Sequence, residues 1–422
     1  MGNGPAAISA VEAIRAHQMM LGLNDIEIWM LSKETTPAYA PMFLTDYIMG
    51  KLEEKKLYLR GSNFYNQFRI KTLFGDPVDG IDDRNKRVIL QSGREFNFDR
   101  LLIATGAVPI KPPIKGIDRE HVFFLNKLND AKQIAKKIAA CKKATIIGAG
   151  AIGIEAATAL NALGLDVSVV ELLDHVVPAV LDKEGAHYVE RNLRQKGIKL
   201  VLGDRVSEIF CRSSSKGCVL ESGKIIESDL IIVCVGVRPS MDIVKSTDIK
   251  TSKGIIVNEK METSVPDIYA AGDAVESPNL YGNYTLNFTW YSAVEQGWTA
   301  GCNIVGIKRQ LTTSVCVNIL KGLDFVAAAI TQAPKSLNKC EVLTSKDEEK
   351  GIFEKIVLDK GHIVQYQGVN VPPSKIGFIH QAVKFGKSVE KFKDQLFKVD
   401  FNSAHTLEMP FLSNKLLTCA QR

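Results

Sequence analysis

Short apolar runs that end in glycine or a small-residue turn, each followed by residues of helical periodicity, recur along the chain. Ala144-Thr145-Ile146-Ile147 runs into Gly148-Ala149-Gly150-Ala151-Ile152-Gly153 and then a helical stretch, Ile154 to Leu163. A second strand, Asp166 to Val170, follows and ends on Glu171. The N-terminus opens on a related pattern: Gly2-Asn3-Gly4-Pro5-Ala6-Ala7, a helical stretch from Ile8 to His17, a strand from Glu27 to Leu31, and an acid at Glu34. Phe98 to Ile103 reads as a buried strand closing on Ala104-Thr105-Gly106-Ala107, and Asp229 to Val235 repeats that design. Thr263 to Ala271 is a strand that delivers Asp273 at its C-terminal edge. Phe353 to Val364 reads as two strands about a turn at Lys360-Gly361. Strands alternating with helices predict an α/β fold with parallel sheets.

The two glycine loops carry the clearest chemistry. In the second, Gly148 permits the tight turn, Gly150 lets backbone approach a pyrophosphate, and Gly153 lets helix pack on strand. The phosphates would then lie at a helix N-terminus. Glu171 stands 23 residues beyond Gly148, where a carboxylate accepts hydrogen bonds from an adenosine ribose. Leu172, Leu173 and Asp174 follow it with no cation for a 2′-phosphate, so NADH is favoured over NADPH. In the first loop Ala7 replaces the third glycine, as the motif permits. Only Met1 precedes Gly2, so the strand that should feed this loop is expected upstream of the written start.

Composition narrows the class without changing that picture. A chain of 422 residues with 45% hydrophobic and 24% charged residues holds two or three domains, and is not a disordered or coiled-coil protein. The net charge of +6 is spread along the chain, which does not suggest nucleic-acid binding. No apolar run reaches the length of a membrane span and no leader pattern is seen, so a cytoplasmic protein is expected. The eight cysteines show no CxxC pair and no metal or cluster spacing, so no metal is expected and each is read as a reduced core residue.

Taken in order, these motifs resemble the two-dinucleotide flavoproteins of the FAD-dependent pyridine nucleotide-disulfide oxidoreductase superfamily, in its rubredoxin reductase, ferredoxin reductase and NADH oxidase-like branch. The resemblance covers roughly residues 2 to 398. It implies two Rossmann-like domains plus a smaller α+β C-terminal interface domain. These fall at 1–114 with 241–315 for FAD, 115–240 for NAD and 316–398 for the interface domain, followed by a tail at 399–422. It further implies that Gly2, Gly4, Pro5 and Ala6 lie against the FAD pyrophosphate, with Glu34 or Lys33 near the adenosine. Thr105 and Gly106 would contact the FAD chain, and Asp273 would bond the ribityl hydroxyls. Trp290 opens the last FAD motif, whose helix N-terminus would face the flavin pyrimidine and stabilise negative charge there. Gly148, Gly150, Gly153 and Glu171 would hold NADH. Glu155 is either the candidate catalytic acid near the nicotinamide or an ordinary first-turn acid.

The departures from the family bear on electron exit. Disulfide reductases need a CxxxxC pair beside the flavin, and the first cysteine here is Cys141. The single-cysteine branch places its thiol in a segment like Tyr39 to Leu44, where this chain has Met42, read as packing against the isoalloxazine. A thioether forms neither a thiolate nor a mixed disulfide. The basic residue of the rubredoxin branch is also missing from this stretch, where Pro41, Met42 and Asp46 stand. The expectation is therefore hydride transfer from NADH to FAD, with electrons leaving directly to an iron-sulfur carrier or partner subunit. Oxygen or a small molecule as acceptor, and a flavin-bearing assembly subunit, are the alternatives. Lys375, Lys384, Lys387, Lys391, Lys393 and Lys398 outnumber Glu390 and Asp394 and form a candidate docking patch, or simply a solvated face. A homodimer through the C-terminal domain is a further expectation.

Overall fold

The computed structural model describes residues 1–23, 25–212, 215–279, 282–311, 315–322, 324–331 and 340–397. The chain begins with α1 (Pro5–Met20), β1 (Ile28–Ser32), β2 (Ile70–Phe74) and β3 (Leu101–Ile103). It continues through β4 (Val122–Phe124), α2 (Leu128–Ile138), β5 (Lys143–Ile147), α3 (Ala151–Ala162), β6 (Asp166–Glu171), α4 (Lys183–Gln195), β7 (Lys199–Leu202) and β8 (Leu230–Val233). β9 (Ile268–Ala270) and α5 (Trp290–Ile304) follow. The last part holds β10 (Cys316–Lys321), β11 (Val326–Thr331), β12 (Glu341–Asp347), β13 (Ile352–Asp359), β14 (His362–Val369) and α6 (Pro373–Lys384).

Residues 122–233 build a five-stranded parallel sheet in the order β7-β6-β5-β8-β4. Its central strands are buried on both faces, as the unbroken apolar runs require. The order reverses at β5, so the Gly148 loop opens at the crevice where ligands bind in such sheets.

The first sheet region contains two parallel pairs, β1 with β2 and β3 with β9. Met1 lies between them: its carbonyl accepts the Ala104 N–H at 2.8 Å, its terminal amine donates to Leu102 O at 2.7 Å, and Gly2 N–H reaches Leu31 O at 2.8 Å. Met1 and Gly2 together thus bridge both pairs. β9 comes from after the second sheet, so this half is assembled from two separated chain segments.

The C-terminal part is antiparallel, in the order β10-β11-β14-β13-β12, with α6 against it. β13 and β14 turn at Lys360-Gly361, whose φ values of 50° and 76° suit a two-residue hairpin on a twisted ladder. Phe353 and Val369 of this sheet share one apolar core with α4, so the second and third domains pack through a dry contact. These three units are two Rossmann-like domains and a smaller α+β domain. The tail at 399–422 lies outside the described residues.

Candidate functional site

The first loop is shaped by contacts that only small residues allow. Gly2 has φ 110°, and a Cβ there would collide with the Ala104 carbonyl at the end of β3. Gly4 is extended, caps α1, and faces open space where a Cβ would stand. Pro5 is the first helical residue, where its missing N–H costs nothing. Ala6 packs beneath α5: a Cβ on Gly297 would strike its carbonyl, and one on Gly272 would come within 3.2 Å of its methyl. Asn3 is anchored by Thr36 O at 3.1 Å and Tyr65 Oη at 2.9 Å.

The second loop repeats that construction. Gly148, φ 100°, abuts the Cys234 carbonyl at the end of β8, and Gly150 caps α3 with open space at its Cβ position. Gly153 sits against Gly148 O, so a side chain would lift helix off strand. Glu171 is buried, and its carboxylate accepts the Ala149 N–H at 2.7 Å and the Leu173 N–H at 2.9 Å. Lone pairs on both oxygens remain for ribose hydroxyls. Both cradles fit a dinucleotide: bare backbone at Gly4 and Gly150 leads straight into helices of 16 and 12 residues, whose first N–H groups favour phosphate.

The remaining residues of the first site converge on the same edge. Thr105 Oγ1 donates to Ser240 O at 2.8 Å and Gly106 O accepts Ser240 N–H at 2.9 Å, which fastens the end of β3 where the chain returns from the second sheet. Gly272 N–H donates to Gln296 Oε1 at 2.8 Å, holding the end of β9 against α5. Asp273 follows with no hydrogen bond or ion pair among the described residues, and burial pushes its carboxyl up to about 6. Trp290 is the first residue of α5, capped by Thr289 Oγ1 accepting from Ser292 N–H at 3.3 Å. Lys33 is exposed. Glu34 turns away from the loop, accepting from Tyr39 Oη at 2.8 Å and pairing with Lys127 at 3.3 Å.

Glu155 lies on α3, and burial pushes its carboxyl up to about 7, helped by the nearby Asp46 charge. Its Oε1 accepts the Lys321 N–H at 3.3 Å. The acid therefore stands where all three domains meet, a position that no local spacing shows because Lys321 is 166 residues away. Spacing gives no sign that Tyr39, Asp46 and Lys321 belong near a site, for the same reason.

Met42 is 47% exposed on the turn Pro41–Phe43, so its side chain is not covered by protein. Two expectations change. Three lysines of the patch, Lys375, Lys384 and Lys393, are each paired with an acid from outside its own stretch. Lys375 is buried on Glu354 at 2.6 Å, Lys384 pairs with Glu295 at 2.6 Å and with Tyr291, and Lys393 bonds Glu341 at 3.2 Å and Glu390 at 3.1 Å. Lys398 lies outside the described residues. Not every cysteine is a core residue either, since Cys211 is exposed. Burial raises the thiol pKa of Cys141 and Cys316, and pushes Cys218 and Cys234 up to about 12. No metal-ligating cluster and no helix long and apolar enough to cross a membrane are present among the described residues.

Comparison with known proteins agrees with this geometry. The chain is 33% identical over 358 residues to an NADH oxidase of Methanocaldococcus jannaschii, covering 82% of this chain and 79% of that one. It is 30% identical to an NADH-rubredoxin oxidoreductase of Clostridium acetobutylicum, covering 83% and 86%. Among solved structures, a NAD-dependent persulfide reductase from A. fulgidus superposes with a TM-score of 0.84 at 29% identity, over 92% of this chain and 77% of that one. The family model for pyridine nucleotide-disulphide oxidoreductase matches residues 1–297. With two dinucleotide cradles in one chain and that match over most of its length, the chain belongs to the pyridine nucleotide-disulphide oxidoreductase family and is an FAD-dependent oxidoreductase of pyridine nucleotides.

Proposed function

We propose that the chain oxidises NADH and passes the electrons through FAD to a protein electron carrier or partner subunit, without a cysteine relay. The observation that carries this is the pair of equivalent cradles at the C-terminal edges of two parallel sheets, with Glu155 between them and the C-terminal domain. FAD would occupy the Gly2–Ala7 loop within 1–114 and 241–315, and NADH the Gly148–Gly153 loop within 115–240. Residues 316–398 serve as the interface domain. When bound, FAD supplies two-electron acceptance and onward electron release.

The chain's own residues position and polarise. Thr105, Gly106 and Asp273 line the first site beside the loop, and the carboxylate of Asp273 is free to accept two hydroxyl protons. The N-terminus of α5, opened by Trp290, presents a positive dipole end. Glu155, with its carboxyl pushed up to about 7, holds or releases a proton near neutral pH. The preference for NADH rests on Glu171, which resists a 2′-phosphate, and on the apolar Leu172 and Leu173 beyond it. Absence of a relay is supported by Met42 at the candidate thiol position and by the raised thiol pKa of five described cysteines, Cys302 included.

Anaerobic stopped-flow mixing of FAD-loaded protein with NADH is expected to bleach the flavin band, with NADPH much slower. Protein that stays yellow in excess of both nucleotides would refute the proposal. A second reading, oxygen as terminal acceptor, is favoured by the M. jannaschii relative named as an NADH oxidase. Peroxide or water formed at the rate of NADH loss would select it. Faster turnover with rubredoxin or ferredoxin than with oxygen would select the carrier.

A further inference from the structure

The two nucleotide loops superpose through their hydrogen bonds alone. Gly2 N–H donates to Leu31 O at 2.8 Å, and Gly148 N–H donates to Val170 O at 2.8 Å. Ala104 N–H donates to Met1 O at 2.8 Å, and Cys234 N–H donates to Ile147 O at 2.7 Å. Each loop then closes on an extended glycine, Gly4 or Gly150, that caps the following helix. In this register Leu31 is the counterpart of Val170, so Ser32, the last residue of β1, is the counterpart of Glu171, the last residue of β6.

A third pair of bonds agrees. Ser32 Oγ accepts the Glu34 N–H at 3.1 Å, and Glu171 Oε1 accepts the Leu173 N–H at 2.9 Å. In both copies the side chain at the strand end receives the amide two residues on. Glu34 thus corresponds to Leu173, not to Glu171. One bond differs: Glu171 Oε2 also accepts the Ala149 N–H at 2.7 Å, whereas the matching Asn3 N–H donates to no described residue. A serine side chain is two bonds shorter than a glutamate and does not reach it.

Glu34 is engaged elsewhere. Its carboxylate accepts from Tyr39 Oη at 2.8 Å and pairs with Lys127 at 3.3 Å. Tyr39 Oη in turn accepts the Leu128 N–H at 3.0 Å, at the first residue of α2. The carboxylate and phenol therefore join the first domain to the start of the second.

We infer that Ser32, not Glu34, meets the nucleotide ribose at the first loop, and that Glu34 serves as a tie between the two dinucleotide domains. This deepens the FAD assignment and rests on it. A carboxylate takes both hydroxyls of a ribose diol through charge-assisted bonds, whereas a serine hydroxyl exchanges one neutral bond with one of them. Ser32 is buried, its Oγ accepts one amide, and its proton has no acceptor among the described residues. Lys33 follows it, exposed. At the ribose the first site thus lacks the negative charge that Glu171 places at the second.

The test is titration of apoprotein with FAD, read by quenching of flavin fluorescence, in wild type, Ser32→Ala, Ser32→Glu and Glu34→Gln. NADH binding at the second loop serves as the folding control. Ser32→Ala is expected to weaken FAD binding about three- to tenfold, the loss of a single neutral hydrogen bond. Glu34→Gln is expected to stay within about twofold of wild type for FAD while lowering the unfolding temperature. Ser32→Glu, which supplies a carboxylate to both the Asn3 N–H and the ribose, is expected to tighten FAD. A loss of tenfold or more in Glu34→Gln with Ser32→Ala unchanged would overturn the inference. Wild-type protein that binds NADH but no FAD would instead overturn the FAD assignment beneath it.

Discussion

Asp273 is half-buried at the end of β9 with no hydrogen bond or ion pair among the described residues, and the cost of ionising it there pushes its carboxyl up to about 6. Its folded pKa is above the unfolded one. The folded state therefore keeps the proton through a window from about 4 to about 6, stability falls as pH rises across that window, and the full penalty is present above it. Asp273→Asn removes the penalty. Apoprotein carrying it is expected to be more stable than wild type at about pH 8, by an amount on the order of 3 kcal/mol at most, and equal to it near pH 4. The same variant should bind FAD more weakly, because an amide accepts fewer hydroxyl protons than a carboxylate. Unfolding curves at both pH values, with FAD titration beside them, check the two signs together. Asp273 was legible as a strand-end acid; the state of its proton was not, because it depends on which neighbours exclude water.

α1 and α5 cross where each offers its smallest residues. A Cβ on Gly297 would strike the Ala6 carbonyl and one on Gly301 would strike that of Ala10, while Ser9 Oγ donates to Val294 O at 2.8 Å. Helix propensity alone would make Gly297→Ala stabilising by about 1 kcal/mol. The backbone contact reverses the sign, since forcing the helices apart costs roughly 1–3 kcal/mol and moves the phosphate loop at the start of α1. Gly297→Ala is thus expected to lower the unfolding midpoint and to release FAD while leaving NADH binding at the second loop intact. Retained FAD with raised stability would show that the crossing is looser than described. The first helix was legible in outline from its pattern, and the start of the second from the family resemblance. Their crossing was not, because the α5 glycines read locally as poor helix formers. α6 teaches the same lesson with charge: its lysines read as a basic face, yet partners from β13 and α5 neutralise Lys375 and Lys384.

At the scale of the whole molecule, electrons entering from NADH meet no buried dithiol among the described residues. The described cysteines are free, five have their thiol pKa raised by burial, and the exposed Cys211 lies on a strand of a separate three-stranded sheet. Treating NADH-reduced protein with iodoacetamide is therefore expected to leave turnover with a one-electron acceptor within about twofold of untreated protein. Inactivation in step with alkylation of one cysteine would place a thiol on the electron path. Glu155 belongs to this scale as well. Its environment is made by α3, Asp46 and the Lys321 amide together, from three regions of the chain.

The sequence by itself determined the two cradles, the parallel α/β class and the terminal hairpin. These depend on local backbone demands: a glycine at positive φ, bare backbone beside phosphate, apolar runs buried on both faces. Only the tertiary structure decided which side chain stands at each strand end, where the two copies diverge at Ser32 and Glu171, and which charges are already paired. Those outcomes are set by hydrogen bonds and burial between different elements, over separations from 21 residues for Lys375 and Glu354 to 166 for Lys321 and Glu155. Spacing along a chain carries no record of such contacts.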